Sequence, residues 1–210
     1  MDLPTFLVYA FTSVFIIVNP LTAVLTFQAL TADHSAQERK HIAKRAIIVA
    51  CIIAVTFAVA GELILRLFGI TADNLRVAGG ILLFIIAIDM LHAKTSREGM
   101  SPEEIREAGR QKDISIFPIA TPLLTGPGAI TTIIVLMRTG PGLGFKAVTL
   151  VAVLATFFIA YLVFIYADRV LRFLGITATL VINRIMGLML AAISVNFVTL
   201  GIWNIFQSFK

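Results

Sequence analysis

The chain is built from long apolar runs separated by short polar breaks. Six runs stand out, at about 4–30, 43–65, 73–92, 114–137, 146–167 and 178–207. Each supplies the stretch of about 20 apolar residues that a helix needs to cross a hydrocarbon core of about 30 Å. The pattern predicts an all-α membrane protein with six transmembrane helices and little chain outside the bilayer. The longest hydrophilic piece, 93–113, divides it into a first unit at 1–92 and a second at 114–210. Within that piece, Ser101-Pro102-Glu103-Glu104 places an N-cap, a first-turn proline and acids on the helix dipole, so a short surface helix is expected there.

Two of the runs contain residues that break helices. From Ile114 to Met137 there is no charged residue, yet Pro118, Pro122, Gly126, Pro127 and Gly128 fall within eleven positions. Proline removes a backbone donor and clashes with the preceding turn, and glycine loosens the chain. The first run carries Asn19-Pro20-Leu21-Thr22 at its middle. Unwound backbone at membrane depth is tolerated only inside protein or beside a wet cavity. Each run therefore predicts two half-helices meeting near the midplane, so that helices 1 and 4 are both broken.

A repeat relates the two units. Leu65-Arg66-x-x-Gly69-Ile70-Thr71-Ala72 recurs as Leu171-Arg172-x-x-Gly175-Ile176-Thr177-Ala178, and Arg76-x-x-Gly79 recurs as Arg184-x-x-Gly187. Asn19-Pro20 falls opposite Gly126-Pro127 at nearly the same offset. Three spans per copy is an odd number, so the second copy enters from the opposite face. Two inverted three-helix repeats, with their breaks facing each other across a pseudo-two-fold axis, are the expected architecture.

Composition agrees and charge adds orientation. Apolar residues make up 59% of the chain and charged residues 14%, which excludes an ordinary soluble domain. The basic residues divide unevenly between the two faces. Arg39, Lys40, Lys44, Arg45, Lys94, Arg97, Arg106, Arg110, Lys112, Arg169, Arg172 and Arg184 lie on one side, and only Arg66, Arg76, Arg138, Lys146 and Lys210 on the other. The rich side is expected to be cytoplasmic, which puts both termini outside. The net charge of +5 is then a topology signal, and no nucleic-acid partner is expected. Met1-Asp2-Leu3-Pro4 has no basic n-region, so the first run is expected to be a retained helix. Cys51 stands alone and suits packing.

The Asn19-Pro20-Leu21-Thr22 break, the segment Thr121-Pro122-Leu123-Leu124-Thr125-Gly126-Pro127-Gly128-Ala129-Ile130 and the six-span length together resemble the MarC family of inner-membrane proteins, which includes the SnatA-type neutral amino acid transporters. The resemblance covers essentially the whole chain and implies transport of small neutral amino acids such as glycine and alanine, coupled to protons, in the cell inner membrane.

The residues offer a matching chemistry. A helix start at Gly128 presents N–H groups and the positive end of a dipole, which favour a carboxylate. The N–H groups of Gly128, Ala129 and Ile130, or of Leu21, Thr22 and Ala23, would meet that carboxylate. Carbonyls around Asn19, Thr125 and Gly126 would meet an ammonium group. Asn19, Pro20, Leu21, Thr22, Thr125, Gly126, Pro127, Gly128 and Ala129 are the candidate substrate-binding residues, with Thr131 and Thr132 as further hydroxyls. Asp89 and then Glu62 are the candidates for proton coupling, and Asp89 could pair with His92 one turn on. Asn196 is expected to line the cavity or to bond another helix, and Trp203 and Tyr161 to mark the interfaces. His34 and His41 suit solvated positions.

The sequence carries no His-Glu-x-x-His, no Gly-x-Ser-x-Gly and no cysteine pair, so neither enzyme activity nor a cofactor or metal site is expected. A non-transporting membrane scaffold or stress-associated protein, and an exporter of another small polar metabolite, are the alternatives. Homo-oligomer formation stays open.

Overall fold

In the computed structural model, residues 1–92, 113–140 and 142–209 are described, and every element among them is helical. In chain order these are α1 (Leu3–Val18), α2 (Pro20–Leu30), α3 (Ala36–Leu67), α4 (Ala72–Leu91), α5 (Ser115–Leu124), α6 (Pro127–Thr139), α7 (Leu143–Ile165) and α8 (Ala167–Ser208). Five stretches are long and apolar enough to cross a membrane. They are Leu3–Leu30 (α1 with α2), Ala36–Leu67, Ala72–Leu91, Leu143–Ile165 and Thr177–Ser208. The pair α5 and α6, bent by 57° at its break, supplies the sixth. The surface helix expected at 101–104 lies outside the described residues.

Local chemistry sets the helix ends. α3 begins at Ala36, ahead of its apolar run, with a capping box in which the Ser35 hydroxyl accepts from Glu38 N–H while the Glu38 carboxylate accepts from Ser35 N–H. Arg39 reaches back to the end of α2, donating to the carbonyls of Thr31, Ala32 and His34. Both copies of the Gly-Ile-Thr-Ala sequence carry a glycine with positive φ. Gly69 has φ 65° and Gly175 has φ 69°, a left-handed conformation that glycine adopts without a Cβ penalty. Gly69 separates α3 from α4, whereas Gly175 interrupts α8 eight residues after its start.

Small residues let the spans approach. On α3, Ala43, Ala46, Ala50, Ala54, Ala58 and Gly61 are buried at helical spacing, facing α5, α6 and α7. The side chains that cover the main core include Phe6, Phe27, Leu124, Ile133 and Phe157, and Phe27 stacks on Phe164 at 4.7 Å between ring centroids. A second cluster joins α4 and α8 through Leu83, Ile86, Met90, Leu190 and Phe197, with Ile16 of α1 and Val135 of α6 packed into it. Ile52, Val59 and Phe158 point outward and remain largely exposed, as lipid-facing residues do.

The packing is reciprocal between the halves. Span 1 lies on span 5 and span 4 on span 2, while span 3 touches span 4 and span 6 touches span 1. Spans 2 and 5 pack directly, as do spans 3 and 6. Exchanging the two halves maps these pairs onto one another, but span 4 also packs on span 5 without a comparable contact between spans 1 and 2.

Candidate functional site

The first break is a single residue wide. Asn19 has φ 44° and ψ 60°, and is the one non-glycine residue with positive φ among the described residues. Asparagine tolerates this region better than other side chains because its short amide can bond locally. Its N–H still bonds Phe15 O at 2.9 Å, and its carbonyl accepts from Thr22 N at 3.1 Å and Ala23 N at 3.0 Å. Two of the N–H groups expected to meet a substrate carboxylate, those of Thr22 and Ala23, are therefore used by the chain itself. Leu21 N–H has no main-chain partner across the junction among the described residues.

The second break joins two half-helices bent by 57°, the first of them irregular. α6 is a regular helix that starts at Pro127 with Gly126 as N-cap, but α5 is loosely wound, with Thr125 N bonding Ala120 O five residues back at 3.0 Å. The cause is its prolines, which follow cis peptide bonds at Phe117-Pro118 and Thr121-Pro122. A residue before proline is driven out of the helical region. Accordingly Phe117 sits at φ −123°, ψ 123° and Thr121 at φ −136°, ψ 125°.

Around the second break, Thr125 and Gly126 are buried, Gly128 and Ala129 are buried, and Pro127 is exposed. The Thr125 hydroxyl donates to Ala120 O at 2.7 Å and shares a hydrogen bond with the Thr121 hydroxyl at 3.1 Å. Ile130 N–H is taken by Gly126 O at 3.1 Å. No side chain caps α6, because the N-cap residue is a glycine. Ala129 N–H thus has no main-chain or capping partner among the described residues.

The two breaks lie close together. A Cβ built on Gly128 would stand 3.1 Å from Ile17, two residues before Asn19, and 3.1 and 3.2 Å from Ile86 and Leu83 of α4. α2 also lies against α5. The immediate surroundings of Gly128 are apolar and tightly filled. One turn further along α6, Thr132 is 1% exposed and its hydroxyl has no partner among the described residues. Thr131 instead packs on Gly79, where an added Cβ would stand 1.9 Å from its Cγ2.

Asn183 is the residue that sequence reasoning missed. It is 8% exposed on α8, and its Oδ1 accepts from Asn19 Nδ2 at 3.0 Å and from Thr22 Oγ1 at 3.1 Å. One amide in the last span thus holds the left-handed residue and the first turn of α2 together. A signal was present: Asn183 directly precedes Arg184 of the repeated Arg-x-x-Gly motif. Asn196 was the residue expected to serve this purpose, because it lies nearer the middle of the run. It is exposed on the outer face of α8.

The two carboxylate candidates are placed differently. Glu62 forms ion pairs with Arg66 at 2.6 Å, Arg138 at 2.9 Å and Lys146 at 3.9 Å, tying α3 to α6 and α7. The three ion pairs make Glu62 a tie between spans 2, 4 and 5. Asp89 is half-buried on α4, and His92 turns its Nδ1 to Ile88 O at 2.8 Å. At the same end of the bundle as Arg76, 7% exposed, Asp73 accepts from Arg76 at 3.0 Å and from Asn204 at 2.9 Å. Outside the spans, Asp113 accepts from Ser115 N–H and hydroxyl and pairs with Arg45 at 2.8 Å. The Ser115 hydrogen bonds, with the Arg45 charge, hold its carboxyl below the usual aspartate range. Among the described residues no group of three metal-ligating side chains comes together.

A family model described as MarC family integral membrane protein matches residues 4–206. Similar chains include the UPF0056 membrane protein MJ1677 of Methanocaldococcus jannaschii, 40% identical over 96% of this chain and 98% of that protein. The UPF0056 membrane protein YvbG of Bacillus subtilis is 37% identical over 96% of each chain. The UPF0056 membrane protein YhcE of Escherichia coli is 33% identical over 98% of this chain and 95% of that protein. No solved structure matches.

Proposed function

The chain belongs to the MarC family of integral membrane proteins, and from that premise we propose that it is a secondary transporter of small neutral amino acids, working by alternating access around two broken spans. The observation that carries this reading is the approach of the two interruptions inside the bundle, with Gly128 against Ile17, two residues before Asn19, and α2 against α5. Broken spans meeting at a repeat interface are a recurrent binding device of secondary transporters. The reciprocal packing of the halves and the matching left-handed glycines 69 and 175 support two inverted three-helix repeats.

In this reading the substrate carboxylate sits at the start of α6, with Ala129 N–H and the Thr132 hydroxyl as donors. Leu21 N–H is the corresponding donor at the first break. The Asn19, Thr22 and Asn183 network, with Thr125, orders the opposite wall. Neither break carries a charged side chain, so a net-neutral zwitterion fits better than an ion. Ile17, Leu83 and Ile86 close around Gly128, so a substrate at the start of α6 requires these side chains to move aside, which favours a small one such as glycine or alanine. Asp89 is the proton-coupling group and the Glu62 cluster a fixed tie. The basic residues put both termini outside the inner membrane.

Purified protein in liposomes should accumulate labelled glycine or alanine in a saturable, counterflow-competent way. Gly128→Leu should abolish this while the protein stays folded. Folded wild-type protein that binds no neutral amino acid would overturn the proposal. One observation favours the rival reading of a non-transporting scaffold: Ile17, Leu83 and Ile86 fill the space beside Gly128. Under that reading Gly128→Leu lowers stability and no amino acid raises it.

A further inference from the structure

Spans 3 and 6 carry an outer face that the six-helix bundle leaves uncovered. On α8, Thr179, Asn183, Gly187, Leu190, Ser194 and Phe197 point inward, and the opposite line runs through Ile185, Leu188, Ala192, Asn196, Thr199 and Trp203. Two exposed residues mark the limits of hydrocarbon on this line, Arg184 and Trp203. Cationic and indole side chains favour the interfaces, and the separation of these two along the helix is about 28 Å, close to one hydrocarbon thickness. Asn196 lies about 10 Å inside the Trp203 end. It therefore presents a carboxamide to the membrane interior rather than to headgroups.

That amide is left over. Among the described residues Asn196 makes no side-chain hydrogen bond, whereas the neighbouring Thr199 hydroxyl satisfies itself on the carbonyls of Val195 and Asn196. Lipid tails offer an amide neither donor nor acceptor, so a bare carboxamide at this depth is costly until another chain supplies both. Beside it, α4 and α8 form a shallow cavity of about 260 Å³ lined by Ile81, Phe84, Ile85, Val195, Val198 and Thr199. Ala192, one turn before Asn196, adds no bulk that would hold another helix away.

We propose that this face is the interface of a homodimer, with Asn196 of each copy bonded to Asn196 of the other across a two-fold axis. The chemistry selects a second copy. A carboxamide carries both donor and acceptor and is its own complement, so two identical residues on a symmetric contact satisfy each other. The apolar cavity then receives side chains of the facing α8. The contact leaves α1, α2, α5 and α6, and so the proposed transport site, outside the interface.

The chain has a single native cysteine, Cys51, which makes a direct test available. In a Cys51→Ala background, Asn196→Cys is oxidised in native membranes. Val59→Cys, on the exposed face of α3, serves as the lipid-facing control. The interface predicts a disulfide-linked dimer of this chain from position 196 and none from position 59. Separately, Asn196→Leu in lipid vesicles should weaken dimerisation roughly 3- to 30-fold by single-molecule photobleaching, the range for one interhelical hydrogen bond in a membrane. Asn196→Gln, which keeps the amide, should restore most of it. Monomer at every protein-to-lipid ratio, equal cross-linking at 59 and 196, or a cross-link from 196 to a different protein would each overturn the proposal. None of these readouts depends on whether the protein transports an amino acid.

Discussion

Asn19 offers the sharpest perturbation, because two substitutions that look alike should behave differently. Its side chain contributes one hydrogen bond to Asn183 at 3.0 Å, and its backbone occupies the left-handed region. Interhelical hydrogen bonds measured inside membranes average about 0.6 kcal/mol and reach about 1.7. Placing an ordinary L-residue in the left-handed conformation costs about 1 to 2 kcal/mol, which glycine escapes and asparagine partly escapes. Asn19→Ala loses both contributions and should destabilise by about 1.5 to 3 kcal/mol. Asn19→Gly loses the same bond but recovers backbone ease, and should stay within about 1 kcal/mol of wild type. Reversible unfolding in mixed micelles reads both values. A double-mutant cycle with Asn183→Ala then isolates the pair, with an expected coupling of about 0.6 to 1.7 kcal/mol. Should alanine and glycine prove equally damaging, or the cycle be additive, then Asn183 does not hold the first break and the argument for a joined site fails.

Other expectations follow from single contacts. Gly79→Ala drives a Cβ into Thr131 and should cost about 1 to 3 kcal/mol, with Thr131→Ala in the same chain recovering most of it in a thermal melt. Glu62→Gln should leave a proton-driven uptake signal intact in liposomes, whereas Asp89→Asn should abolish it; the reverse outcome would exchange their roles. Asp113 has a folded pKa held below its unfolded value, so its contribution is present above about pH 4 and lost as pH falls through the folded value. Asp113→Asn should remove that component from the acid limb of a stability profile, and an unchanged limb would refute it.

The sequence by itself determined the membrane class, the six spans and the positions of both breaks. Hydropathy, helix length and the special backbone chemistry of proline and glycine are local properties. The observed spans accordingly begin and end within a few residues of the apolar runs, apart from the earlier start of α3 at Ala36. What only the tertiary structure decided is which polar residue serves which break. Asn183 and Asn196 look interchangeable along the chain, both lone amides in one apolar run, yet they stand 13 positions apart and so face opposite sides of one helix. The packing of α8 against α4 turned the first toward Asn19 and left the second outside. The prolines of α5 forbid a regular helix without dictating what replaces it, and the irregular turn that does so packs against α3 and α2. Facing direction is set by long-range contacts, and the order of residues does not contain it.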